Sequence, residues 1–102
     1  MLTLKVITKD IDGANQTSIF SGESITHTER VEKPSILQSL PTNARVVGNI
    51  NSEGTQDFIA SYVFIYEKGG FIKEFLLIVP KSDCFIMEDG KTVDTFYSHF
   101  NN

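Results

Sequence analysis

The side chains with most to offer chemistry are few. They are the imidazoles His27 and His99, the single thiol Cys84, an Asp-rich stretch at residues 10–15 and the phenols Tyr62 and Tyr66. A zinc site needs three or four nitrogen or sulfur ligands at compatible spacing. His27 and Glu29 share one face if residues 25–31 are extended, and His99 and Cys84 could complete a set only through the fold. No spacing demands it, so the histidines read as structural or surface groups and no metal is expected.

Asp10-Ile11-Asp12-Gly13-Ala14-Asn15 has the alternating oxygen ligands of a calcium loop, but its glycine comes two residues early and no glutamate closes it. Asp and Gly serve turns for backbone reasons of their own, and a turn is the expectation. A nucleophilic Cys84 would need a cation, a histidine or a helix N-terminus beside it. Its neighbours are Asp83 and Phe85, which raise a thiol pKa, so the expectation is a packed, inert side chain. Glu88-Asp89 falls in an exposed turn, where neither carboxylate is perturbed enough for acid-base work. The chain contains no Gly-x-Ser-x-Gly, no Ser-x-x-Lys and no glycine-rich phosphate loop. No catalytic residue and no cofactor are expected.

What remains is aromatic. Phe58, Tyr62, Phe64 and Tyr66 recur at every second or fourth position, and Phe71 and Phe75 follow within reach. On a strand these project from one face, either into a core or into a contact surface, where tyrosine is enriched. Tyr62, Tyr66, Phe64 and Phe71 are therefore the candidate binding residues. His27 is the polar group that could join them if the fold brings it near.

The elements that must position these side chains read as short strands between turn signals. Leu2, Leu4 and Val6 alternate with Thr3, Lys5 and Ile7, residues 10–13 turn the chain, and residues 16–20 return. Ser21-Gly22-Glu23-Ser24 reads as a second turn, before a β-branched stretch carrying Ile25, His27, Glu29 and Val31 on one side. Residues 35–40 are the one helical candidate. Ser35 and Gln38 have capping-box spacing and Ile36, Leu37 and Leu40 form an apolar face, while Pro34 and Pro41 limit it to a turn or two, suited to plugging an open end of the sheet.

Residues 45–50 are strand-like with Gly48 a candidate bulge, and residues 51–54 turn. Two long apolar runs, 58–66 and 71–79, flank Glu67-Lys68-Gly69-Gly70, a hairpin signature, with Lys73-Glu74 marking a bulge or an opening to solvent. A last hairpin forms around Glu88-Asp89-Gly90-Lys91. The fold class expected is all-β, or β-rich α+β: a small antiparallel sandwich or barrel of seven to eight strands with one short helix near residues 35–40.

Composition narrows the function further. A chain of 102 residues is of single-domain size, and no repeat or linker marks a second domain. Nine basic residues, scattered, against thirteen acidic ones give a net charge of -4, which disfavours a phosphate backbone; no nucleic-acid partner is expected. No apolar run approaches the ~20 residues that span a bilayer, so no membrane partner is expected. One cysteine and no export-like leader suggest a cytoplasmic protein, which makes the sequon Asn15-Gln16-Thr17 a chance match.

Both faces of the 58–79 hairpin are apolar, more than a small chain conceals easily. The leading expectation is a non-catalytic protein-binding module that self-associates through this hairpin as a homo-oligomer. The alternatives are a small-ligand binder with a mouth lined by Tyr62, Tyr66 and His27, and a structural subunit of a larger assembly.

Overall fold

The computed structural model describes residues 1–10, 12–49 and 56–100. Eight strands follow one another: β1 (Leu2–Lys9), β2 (Asn15–Gly22), β3 (Ser24–Glu32), β4 (Ala44–Val47), β5 (Phe58–Tyr66), β6 (Ile72–Ile78), β7 (Ser82–Glu88) and β8 (Lys91–Phe100). A single 3₁₀ turn, Pro34–Gln38, lies between β3 and β4. The strands form one nearly closed, barrel-like sheet in the order β2-β1-β7-β8-β5-β6-β4, with β3 on the other edge of β5. Among the described residues all pairings are antiparallel except β4 with β6, which is parallel.

Local chemistry explains the hairpins. Asp89 and Gly90 both have positive φ, the backbone of a two-residue type I′ turn, and they join β7 to β8 as the Asp-Gly signal requires. Asp10 accepts from the backbone N–H groups of Asp12 and Ala14, each at 2.9 Å, so its carboxylate organises the β1–β2 turn. The β5–β6 hairpin closes with Glu67 N–H on the Phe71 carbonyl at 2.7 Å. Its register shifts where Ile65 pairs with Glu74 and Tyr66 with Ile72, which makes Lys73 the extra residue of a bulge.

Three expectations are corrected. Residues 21–24 do not reverse the chain: β2 runs through Gly22, the chain bends at Glu23, and β3 leaves β2 to pair with all of β5. The strand expected at 45–50 ends at Val47, so Gly48 lies beyond it rather than inside a bulged ladder; the turn expected at 51–54 lies outside the described residues. The expected helix is one 3₁₀ turn capped by Lys33 with no side-chain bond, so the Ser35–Gln38 capping box does not form. Pro34 occupies the first turn, where its missing N–H costs nothing.

That 3₁₀ segment lies on a sheet face rather than in an open end. Along β5 the residues alternate: Ser61, Val63 and Ile65 point inward, where Val63 and Ile65 join a core with Leu4, Val6, Leu76, Ile78 and Phe96. Phe58, Ala60, Tyr62, Phe64 and Tyr66 point outward. Ile36, Leu37 and Leu40 pack over Phe58, Ala60, Leu77 and Val79 and bury that half of the outer face. The apolar excess of the hairpin is thus concealed at one end by the chain itself.

Buried hydroxyls are paired with one another. Thr8 and Ser82 lie 3.0 Å apart, Ser82 donates to the Val79 carbonyl at 2.7 Å, and Ser98 donates to Ser61 at 3.1 Å. Among the described residues, no buried side-chain nitrogen or oxygen lacks a partner. The described interior is therefore a core whose polar side chains are satisfied.

Candidate functional site: an aromatic groove on the outer sheet face

Where the 3₁₀ segment stops, the outer face of β5 and β6 stays half-exposed. Phe64 and Phe75 are cross-strand partners, and their rings stack at 4.5 Å with an interplanar angle of 6°. Tyr62 lies 6.2 Å from Phe75, and Tyr66 lies 6.4 Å from Phe64, so the four rings form a continuous ribbon. Ile36, Ser39, Leu40 and Pro41 rise on one side of it and Thr28 and Arg30 of β3 on the other. The result is an open groove of ≈ 440 Å³ with an aromatic floor.

Its polar edge is a three-residue network. The Tyr62 hydroxyl donates to Glu32 Oε1 at 2.9 Å, Arg30 Nε stands 3.8 Å from the same oxygen, and the Arg30 guanidinium carbon lies 5.8 Å from the Tyr62 ring centre. Burial, then the hydrogen bond to Glu32 and its negative charge, push the Tyr62 phenol up to about 12. Tyr62 therefore stays a neutral donor at neutral pH and supplies a flat wall, not a base. Arg30 is well exposed and keeps N–H groups facing outward. Apolar rings and a guanidinium thus lie side by side in the groove.

The other candidates are dispersed. Tyr66 sits at the far end of the ribbon, while Phe71 lies in the turn with 71% of its surface exposed, outside the groove. His27 is on the inward-facing side of β3, opposite the groove, stacked on Phe96 at 3.9 Å and bonded to Asp94 at 2.9 Å. His99 lies tilted against Tyr97 on the outer face of β8, ring centres 4.7 Å apart. Cys84 is buried in the core, where desolvation first and Asp83 second raise its thiol to about 12. Among the described residues, no three His, Cys, Asp or Glu side chains gather as a metal site, and no helix is long and apolar enough to cross a membrane.

The His27–Asp94 contact has a measurable signature. The hydrogen bond from His27, with a smaller contribution from the Thr95 N–H, holds the Asp94 carboxyl below the usual carboxylate range. A carboxyl depressed in the folded state adds stability above its unfolded pKa, roughly 4, and that stability disappears as pH falls through the folded value. Melting temperatures of the parent and Asp94→Asn should differ above about pH 4 and converge below it. A gap that stays constant from pH 6 to pH 2 contradicts this linkage.

Arg30, Glu32, Thr28 and the wall at 36–41 were not among the candidates read from the sequence. The alternation of β3 puts Thr28 and Arg30 on one face, but only the β3–β5 pairing sets Thr28 opposite Tyr62. That pairing has no local signal. Comparison with protein-family models, curated proteins and solved structures finds no match for this chain.

Proposed function

We propose that the protein is a non-catalytic binding module that holds a partner protein in the aromatic groove. The partner inserts an apolar side chain over Phe64 and Phe75 and presents a carboxylate to Arg30. The observation that carries this reading is the stacked Phe64–Phe75 floor left open beside a guanidinium, on a face whose other half the chain covers with its own 3₁₀ segment. Half-exposed aromatic surface with an arginine at its rim has the composition of an interaction hot spot.

The test is a selection of random linear peptides on the immobilised protein, followed by NMR titration of the winners. Selected peptides should combine an aliphatic or aromatic anchor with an acidic residue and shift Thr28, Tyr62, Phe64 and Phe75. Arg30→Gln, at an exposed position, and Phe64→Ala should each weaken binding by about tenfold, the loss of ~1.4 kcal/mol expected of a hot-spot contact. Peptides that bind both variants as tightly as the parent would remove the proposal.

A second reading is a small-ligand site, favoured by a volume within the ~300–1,000 Å³ of such pockets. Apolar carboxylic acids that shift the same resonances, with no peptide enriched, would favour it. Self-association through the same hairpin predicts instead that Phe64→Ala lowers the solution mass.

A further inference from the structure

Besides the groove, four strands have an edge wholly or mostly unpaired among the described residues: β2 pairs with β1 alone, β3 with β5 alone, β4 with β6 alone, and residues 91–98 of β8 with β7 alone, the last carrying Lys91, Asp94 and a register shift in its ladder. An open edge offers a row of unpaired backbone groups to any extended chain, and stable monomers blunt it with charge, proline, bulges or shortness. β4 is only four residues long and carries Arg45. β3 carries Glu29, Arg30 and Glu32. β2 has none of these devices: its eight residues, Asn-Gln-Thr-Ser-Ile-Phe-Ser-Gly, include no charge and no proline, and its ladder to β1 is free of bulges.

The direction of its free groups follows from two hydrogen bonds. Asp10 N–H donates to the Ala14 carbonyl at 2.8 Å, so residues 10 and 14 are a hydrogen-bonded pair. In an antiparallel ladder such pairs alternate, which makes Lys9–Asn15, Ile7–Thr17, Lys5–Ile19 and Thr3–Ser21 non-bonded pairs. The N–H and C=O groups of Asn15, Thr17, Ile19 and Ser21 therefore point away from β1. In agreement, the Ser21 carbonyl is reached from outside by Lys73 Nζ at 2.8 Å. Lys73 and Arg45, the latter over the Phe20 ring at 5.3 Å, guard the C-terminal end of the edge. Along residues 15–19 no strand pairs with this side: Asn15, Gln16 and Thr17 are exposed and Ile19 shows 65% of its surface, while Ser18 and Ile19 share a hollow with Arg45, Lys73 and Glu74.

We infer that this edge pairs with β2 of a second copy, antiparallel about a two-fold axis. A symmetric antiparallel pair must set one residue opposite itself, and with Ser21 guarded that residue is Thr17. Thr17 then faces the copy's Thr17, Asn15 faces the copy's Ile19, and about six backbone hydrogen bonds form. No charged residue lies within the pairing. Within the four paired strands, the nearest like charges are Lys5 and the copy's Lys9 at the outer ends of one row, three strand spacings apart, ~14 Å, beyond the screening length of ~8 Å at physiological salt. The two aromatic grooves stay free, one on each copy.

The test is the solution mass by sedimentation and light scattering over a concentration series, on the full chain and on charge variants at Thr17. The parent should approach twice 11.4 kDa as concentration rises. Thr17→Glu and Thr17→Lys should each remain near 11.4 kDa, because each sets like charges face to face, while an equimolar mixture of the two should recover the double mass. Thr17→Pro removes an outward N–H without touching the β1 ladder and should also stay single. Circular-dichroism spectra matching the parent, with cooperative melting, confirm that the variants fold. A parent that stays at 11.4 kDa at every concentration, or a double mass that survives Thr17→Glu, overturns the inference.

Discussion

Gly22→Ala is expected to melt about 12–20 °C below the parent, from a loss of roughly 3 kcal/mol in a domain of this size. The reason is the corner at Gly22-Glu23, where the chain passes from β2, paired with β1, into β3, paired with β5. A Cβ at residue 22 would collide with Ile65 Cγ2 of the core and stand 2.8 Å from the Tyr66 carbonyl oxygen. The Tyr66 carbonyl cannot rotate aside, because it accepts the Glu23 N–H at 2.7 Å and so fixes the turn into β3. One added methyl therefore strains the inner core and the hinge of the sheet together. A melting temperature within about 3 °C of the parent, below the shift that 1 kcal/mol produces, would mean that the corner yields without cost.

Phe58→Ala is the second large effect, with an expected loss of about 3–5 kcal/mol read from the denaturation midpoint. Phe58 is fully buried although it points away from the main core, because the 3₁₀ segment packs on it with Ile36, Leu37 and Leu40. Removing its ring leaves a cavity beneath that segment and withdraws its main anchor. Hydrogen exchange at the Ile36 and Ser39 amides, which donate to Lys33 and Ile36 carbonyls, should accelerate well before the β1–β2 ladder does. Val93→Ala, at a residue with 56% of its surface exposed, should stay within about 0.5 kcal/mol of the parent and serves as the control. A loss under ~1 kcal/mol for Phe58→Ala would show that the segment is held by other contacts.

The same segment ties stability to the binding surface. Ile36 and Leu40 stand on Phe58 and also form a wall of the groove, so weakening the anchor displaces the wall. Phe58→Ala should therefore reduce peptide affinity without touching any groove-floor residue. Proline at both ends of the segment limits its freedom in the unfolded chain, which lowers the entropy lost when it docks.

Sequence alone determined what depends on near neighbours. The two hairpins at 67–70 and 88–91 were legible because their turn residues, Gly69-Gly70 and Asp89-Gly90, specify backbone geometry within a few positions. That Phe58, Tyr62, Phe64 and Tyr66 share one face followed from the period of a strand, while the break at Lys73-Glu74 read equally as a bulge or an opening to solvent until the β5–β6 register decided for the bulge. Tertiary structure alone decided where β3 goes, that β4 runs parallel to β6, and that the 3₁₀ segment covers half of the hairpin rather than an open end. Those choices assembled Arg30, Glu32 and Tyr62 into one network and turned His27 away from it. Backbone pairing carries almost no sequence code, so distant strands select partners by which arrangement buries the most apolar surface without stranding a polar group, a property of the whole chain rather than of any window along it.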